Sequence, residues 1–510
     1  MTEKINYKKI TAWSLVTQYI QISLTIVYGV LLLPIYLKYI PADTYGFWMA
    51  TGNMMMWFSL LMPDWSQLLL QQLGSAYGAN DKGKFGKLFC SGIFISLLFV
   101  TVFLLASWLA SSFFGSWLNL PEKYNYTPLI NAFLVAAFGT ALTAFGSTLG
   151  AVNLALHHTL ADGISNIISM IVRILVILIF LFNGHGVLAL GLGNLSFGVT
   201  SVIFNAMISF FYLRKLRLVY IVDFNNLLSV ASLTFYSSVN KMGNTFMKQL
   251  DYFLIARFIG GEAATMLRLV KVVPETLLLF ATNASVSLMP SISHSKGANS
   301  LAKNIEKIMQ FTGIMFAFAC YLGGGIYALE DVFIGLWVKS PVPIEQTVVF
   351  LVVTNLVIAG IADTFGRYVF TIGEIKRISI IRFTFSLFQM LFMCLGVFFW
   401  NLPGMLISSI LVYTWSAVMF LRILVKIERL PPSQWSVPLK DLGYGAIAAG
   451  IAGICIRHFE FSGWAELFIG CVMYSVVFWV LLTTTSRNYR SFQQAFFVSL
   501  LKKQRSPECS

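Results

Sequence analysis

Residues 240–275 read NKMGNTFMKQLDYFLIARFIGGEAATMLRLVKVVPE, two apolar helical stretches that nevertheless carry Lys241, Lys248, Asp251, Arg268, Lys271 and Glu275. Each such residue costs about 2.5–3.5 kcal/mol to place in hydrocarbon. On a continuous helix Lys241, Asn244, Lys248 and Asp251 fall at i, i+3, i+7 and i+10 and share one face. Arg268, Lys271 and Glu275 repeat that spacing on the next helix. Two charged stripes on adjacent membrane helices imply a wet, mostly cationic cavity, and therefore an anionic cargo.

The rest of the 510-residue chain fits that setting. Hydrophobic residues make up 57% and charged residues 11%, and the mean hydropathy is +0.77. This composition excludes an ordinary soluble fold. Apolar runs of about 20 residues, each long enough to cross a bilayer as a helix, recur to the C-terminus. The alternating pattern of a membrane β-barrel is missing. The net charge of +14 would suggest nucleic acid in a soluble protein, but the basic residues sit in short turns between spans and no nucleic-acid partner is expected. Six scattered cysteines have neither metal nor redox spacing and read as packing residues. Lys4, Lys8 and Lys9 precede a span too long for a signal-peptide core, so an uncleaved first helix is expected.

The pattern predicts an all-α polytopic protein with fourteen spans, near 12–38, 45–72, 86–111, 128–151, 160–182, 186–212, 228–257, 263–290, 306–329, 346–371, 378–400, 402–427, 439–457 and 463–485. Of the 35 Lys and Arg, 24 belong to the N-terminus, the even-numbered turns and the C-terminus, against five on the other side. Both termini should be cytoplasmic by the positive-inside rule. Shifting the first six spans by 219 residues lands each on a later span and places Gly78-Ala79-Asn80 on Gly297-Ala298-Asn299. Two six-helix bundles related by a pseudo-two-fold axis are expected, residues 1–220 and 221–432. Two extra spans (433–490) and a cytoplasmic tail (491–510) would follow. No phosphate-cradling, zinc-protease or hydrolase motif occurs, so no cofactor and no catalytic residue is expected.

The stretches Pro34-Ile35-Tyr36-Leu37, Tyr45-Gly46-Phe47-Trp48, Pro63-Asp64-Trp65 and Gly78-Ala79-Asn80-Asp81 resemble the opening of polysaccharide (O-antigen, Wzx-type) flippases of the multidrug/oligosaccharidyl-lipid/polysaccharide exporter superfamily. Gln249-Leu250-Asp251 and Phe258-Ile259-Gly260-Gly261-Glu262-Ala263 look like that family's seventh span and following turn. The chain departs from the family at Asp64-Trp65-Ser66, where Asp-x-Gly is frequent, and at Thr265-Met266-Leu267, where Gly-x-Tyr is common. The resemblance implies two bundles meeting at a V-shaped cavity, which move undecaprenyl-pyrophosphate-linked oligosaccharide outward across a bacterial inner membrane by alternating access. It also implies a glycan polymerase and a chain-length regulator as partners. The rival readings are a cation-coupled multidrug exporter, which favours an acidic cavity, and a glycan polymerase or ligase. The latter needs a catalytic external loop, and the longest, near 112–127, offers only Glu122 and Lys123.

The candidate substrate-binding cations are Arg173, Lys241, Lys248, Arg268 and Lys271. Arg173 lies near the middle of its span with no acid at i±3 or i±4; snorkelling is the competing explanation. Lys248 with Asp251, Lys271 with Glu275 and Asp363 with Arg367 are spaced to pair within one helix, which serves a structural role as well as a functional one. Arg268 has no nearby acid and sits close to the external surface, where it would anchor at the interface or face the cavity. Gln18, Gln21 and Thr25 on the first span join Asn244 as cavity-lining candidates, with simple helix packing as the alternative. Asp64 beside Pro63, Asp251 and Glu275 are the candidates for ion coupling. Trp13, Tyr45, Trp48, Trp108, Trp337 and Trp464 lie at span ends as interface anchors.

Overall fold

A computed structural model describes residues 17, 19–58, 60, 65–120, 125–156, 158–216, 239, 241–297, 301–338, 345–459 and 461–494. Every regular element among them is helical. A π-turn (Val27–Leu31) precedes α1 (Leu33–Tyr39), α2 (Ala42–Phe58), α3 (Trp65–Gly78), α4 (Lys82–Ser111), the single turn α5 (Phe114–Trp117), α6 (Thr127–Ala155), α7 (Thr159–Phe182) and α8 (Leu188–Leu216). There follow α9 (Asp251–Phe258), α10 (Gly261–Gly297), α11 (Leu301–Val338), α12 (Gln346–Thr371), α13 (Ile375–Glu428), α14 (Pro432–Arg457) and α15 (Trp464–Thr485). Local chemistry sets several starts. Proline stands in the first turn of α1, α6 and α14, where its missing N–H costs nothing. The Asp81 carboxylate accepts from the Lys84 N–H at 2.9 Å to cap α4.

Ten helical stretches among the described residues are long and apolar enough to cross a membrane. One of them, Lys376–Glu428, is two spans in succession. Its helix breaks at Trp400 (φ −135°) and Asn401 (φ 52°), and Pro403 then opens the second arm. The expected spans 45–72 and 263–290 are helical wherever they are described, and 228–257 is so except at Gln249 and Leu250.

The chain divides into two compact units, Met1–Thr265 and Met266–Ser510. In the first, α6 and α8 lie against each other through glycine. A Cβ on Gly139 would meet the Asn194 carbonyl at 2.5 Å, and one on Gly198 would meet the Gly139 carbonyl at 2.3 Å. Lipid tails are as apolar as leucine, so helices associate in a membrane through such close approach and through interhelical hydrogen bonds. Asn153, Asn205 and Ser209 supply the latter. Asn153 Nδ2 donates to Asn205 Oδ1 at 3.2 Å, and Ser209 Oγ donates to Asn153 Oδ1 at 2.8 Å. The two glycine-bearing motifs of the flippase resemblance meet physically in this unit: a Cβ on Gly46 would fall 1.7 Å from the Gly261 carbonyl oxygen. Only glycine fits there.

The second unit is built on α11. Tyr321 packs against Tyr474, Phe478 and Trp479 of α15 at ring separations of 5.6, 5.0 and 5.2 Å. The α14 residue Asp441, 4% exposed, accepts from Ser486 Oγ at 2.8 Å and Asn488 Nδ2 at 2.6 Å. Asn488 Nδ2 also reaches the Gln310 carbonyl of α11 at 2.8 Å. The last two spans are thus tied into the second unit by buried polar bonds as well as by aromatic packing.

Candidate functional site

Arg173 sits nine residues before the end of α7, about 13 Å along the axis at 1.5 Å per residue. Its Nη2 donates to the Tyr28 hydroxyl at 2.6 Å, and its guanidinium lies 4.0 Å from the Tyr28 ring centroid and 6.0 Å from that of Phe197. Its Nε is buried without a hydrogen-bond partner, and no carboxylate pairs with it among the described residues. Both ring contacts are cation–π interactions that hold the charge in place without neutralising it. Tyr28 belongs to the π-turn, an irregularity that recurs at functional sites. The side chain went unremarked in the sequence, although it continues the polar stripe of Gln18, Gln21 and Thr25 at the next i+3 position. Gln21 Nε2 reaches the Gly163 carbonyl of α7 at 3.4 Å, and Thr25 Oγ1 donates back to the Gln21 carbonyl at 2.9 Å. Gln18 and Asp64 lie outside the described residues.

The stripe expected on one continuous helix over 241–251 is split. Residues 241–248 are helical, Gln249 and Leu250 form a bend, and α9 begins afresh at Asp251. The physical reason is a nonlocal bond. The Trp57 indole N–H donates to the Gln249 carbonyl at 2.9 Å, engaging an oxygen that a continuing helix would use itself. Lys248 is exposed, Lys241 and Asn244 are half-buried, and Asp251 is 8% exposed. The Asp251 carboxylate accepts from the Tyr252 N–H at 2.9 Å in the first turn of α9, with Asn53 Nδ2 at 3.5 Å. A carboxylate there also complements the positive end of the helix dipole.

In the second unit the charges gather around carboxylates. Glu275 accepts from Arg268 Nη1 at 3.1 Å through one oxygen and from Lys271 Nζ at 3.1 Å through the other. The expectation that Arg268 lacks a nearby acid is therefore corrected. An i,i+7 pair spans two turns, about 10.5 Å of axis, which two long side chains on one face bridge together. Asp363 likewise serves two arginines, Arg367 at 2.6 Å and Arg382 at 3.3 Å. Arg382, near the start of the span expected at 378–400, is 7% exposed. A Cβ on Gly366 would lie 2.3 Å from its Nη2, so the glycine leaves the guanidinium its room. Each carboxylate holds two cations.

Comparison with family models and with curated protein sequences gives no match. Among solved structures, the lipid II flippase MurJ in an inward closed conformation superposes with a TM-score of 0.67 at 12% identity, over 94% of this chain and 99% of its own. An inward-facing multidrug resistance MATE family transporter of the MOP superfamily gives 0.59 at 14% identity, over 81% of this chain and 98% of its own. The Vibrio cholerae MATE transporter VcmN gives 0.54 at 15% identity, over 83% and 98%. These neighbours are transporters and flippases. The chain has the all-helical fold shared by the lipid II flippase MurJ and these MATE transporters.

Proposed function

We propose that this protein is a flippase that carries an undecaprenyl-pyrophosphate-linked oligosaccharide, an O-antigen or capsule repeat unit, from the cytoplasmic to the outer leaflet of a bacterial inner membrane. The observation that carries the reading is Arg173, a cation in mid-span with aromatic and hydroxyl partners and no carboxylate among the described residues. A pyrophosphate is a hard anion that arginine binds through charge-assisted, bidentate hydrogen bonds. An organic-cation exporter gains nothing from such a residue. The likeness to a lipid II flippase, with a TM-score of 0.67 over 94% of this chain, supports a lipid-linked cargo.

In this reading the bundles at 1–220 and 221–432 alternate access to a cavity between them, with the two extra spans at 433–490 beside the second bundle and both termini in the cytoplasm. The pyrophosphate engages Arg173, Lys241 and Lys248 while the polyprenyl chain stays in lipid. A glycan polymerase and a chain-length regulator receive the product. The test is lipid-linked glycan in cells lacking the gene, complemented at matched expression by wild type, Arg173→Ala or Arg173→Lys. Intermediates should accumulate on the cytoplasmic side without the protein and remain there with Arg173→Ala. If deletion leaves the lipid-linked glycan unchanged, the flippase reading fails.

A further inference from the structure

Glu330 has no part in the site above and is the most isolated acid among the described residues. It lies within α11, in the candidate membrane-spanning helix Ile305–Val338, and is 3% exposed. Neither carboxylate oxygen has a hydrogen-bond partner. It lines a cavity of about 270 Å³ walled by α10, α11 and α15, with Leu277, Phe333, Leu467 and Tyr474 among its neighbours. An ionised carboxylate in such a place costs several kcal/mol unless paired, so the position needs a counter-charge or a proton.

Among the described residues, the surrounding elements provide no counter-charge. From α10 the cavity receives Val273 and Leu277, while Glu275 of that helix is held by Arg268 and Lys271. The titratable groups facing the cavity are Tyr321 of α11 and Cys471 and Tyr474 of α15, none of them a cation. Both tyrosine hydroxyls are engaged, Tyr321 with Ser475 Oγ at 2.6 Å and Tyr474 with the Tyr321 carbonyl at 3.0 Å. The adjacent Asp331 is exposed and accepts from Gln346 Nε2 of α12 at 3.2 Å. Arg457 of α14 is committed to the Gln346 side-chain oxygen at 3.0 Å and to the Tyr327 carbonyl at 2.8 Å.

We propose that Glu330 is a proton-binding site of the second unit, loaded while the cavity between α10, α11 and α15 is dry and unloaded when that cavity wets. A hard metal ion needs several oxygen ligands, and this wall offers one carboxyl beside hydroxyls already in use. A proton needs one. Resting on the exporter reading, the site gives transport a dependence on the proton gradient through a cavity that the last span, α15, helps to wall. The balance is simple: the carboxylate takes one proton from water on one side and returns it on the other, with no other bond made or broken.

The experiment is infrared difference spectroscopy on the purified full chain at neutral pH, wild type against Glu330→Gln. The wild type should show the carbonyl stretch of a protonated carboxyl, shifted in heavy water and lost in the variant, with unchanged thermal stability of the variant. A spectrum in which no protonated-carboxyl band depends on Glu330 overturns the proposal. So does loss of that band when sodium is added at fixed pH, since a metal ion would then be the ligand. A second arm follows lipid-linked glycan export in vesicles under an imposed pH gradient. Glu330→Gln should lose the gradient-stimulated part, and stimulation equal to wild type overturns the coupling. The spectroscopic arm needs no glycan, so it stands or falls separately from the flippase reading.

Discussion

Arg173 in the first unit and Arg382 in the second both lie against an aromatic ring inside an apolar span, and they differ in what balances their charge. Arg173 has Tyr28 and Phe197, which position a cation and leave it charged. Arg382 rests 5.7 Å from the Phe420 ring but shares Asp363 with Arg367. A cation neutralised by a carboxylate is part of the frame. One held only by dipoles and ring faces retains its affinity for an anion. In the proposed function, the contrast separates the residues that the fold depends on from those that the cargo depends on, a distinction that residue type alone does not make.

The largest effect should come from Asp363→Asn, which leaves Arg367 and Arg382 without their shared acid. A broken buried pair costs about 3–5 kcal/mol, so the variant should melt far below wild type in detergent. A melting curve like that of wild type would show the cluster to be dispensable and erase the contrast. Next comes Gly46→Leu, a purely steric change in the same unit as Arg173. Overpacking costs about 1–3 kcal/mol or more, and with the Gly261 backbone in the way the expected result is poor folding yield with no specific transport phenotype. Arg173→Ala should do the reverse. It removes one hydrogen bond and two ring contacts, about 1 kcal/mol of stability, and should abolish glycan translocation at normal expression. Translocation near wild type would assign Arg173 to the frame after all.

The smallest effect is a pH effect at Asp43, in the first turn of α2. Burial first and the nearby Glu262 charge second raise its carboxyl above the usual aspartate value, against a lowering bond from the Gly261 N–H. The folded chain therefore holds this proton more readily than the unfolded one. Stability should fall as pH rises from just below the ordinary aspartate value to the raised one. Glu262→Gln removes the charge and should flatten part of that slope in melting curves taken between pH 3 and 6. An unchanged slope would show that Glu262 makes no contribution.

The helical spans were legible because hydropathy is a local property, and even the turn near residue 400 appears where the apolar run is punctuated by Asn401 and Pro403. Charge partners were legible only at the spacing searched. Lys271–Glu275 and Asp363–Arg367 lie at i,i+4 and are bonded in the structure, whereas Arg268–Glu275 lies two turns apart. Arg382 reaches Asp363 from a different helix. The bend at Gln249 depends on Trp57, 192 residues earlier in the chain, which no periodicity could indicate. Glu330 was overlooked for a simpler reason. It lies one residue beyond the span expected at 306–329, but α11 continues to Val338.

The bonds that tie Asp441 to Ser486 and Asn488 also order events in time. Asp441 is made 47 residues before Asn488, and at 5–20 residues per second a ribosome takes about 2–9 s to cover that distance. During that interval the α14 carboxylate has neither of its side-chain donors, and α14 and α11 face each other across an unfinished contact. The final residues of the last helical hairpin therefore act as a signal of completion. A chain halted before Ser486 contains nearly all of its apolar mass and still exposes one unmet acid, the kind of defect by which a cell's quality control recognises an unfinished membrane protein.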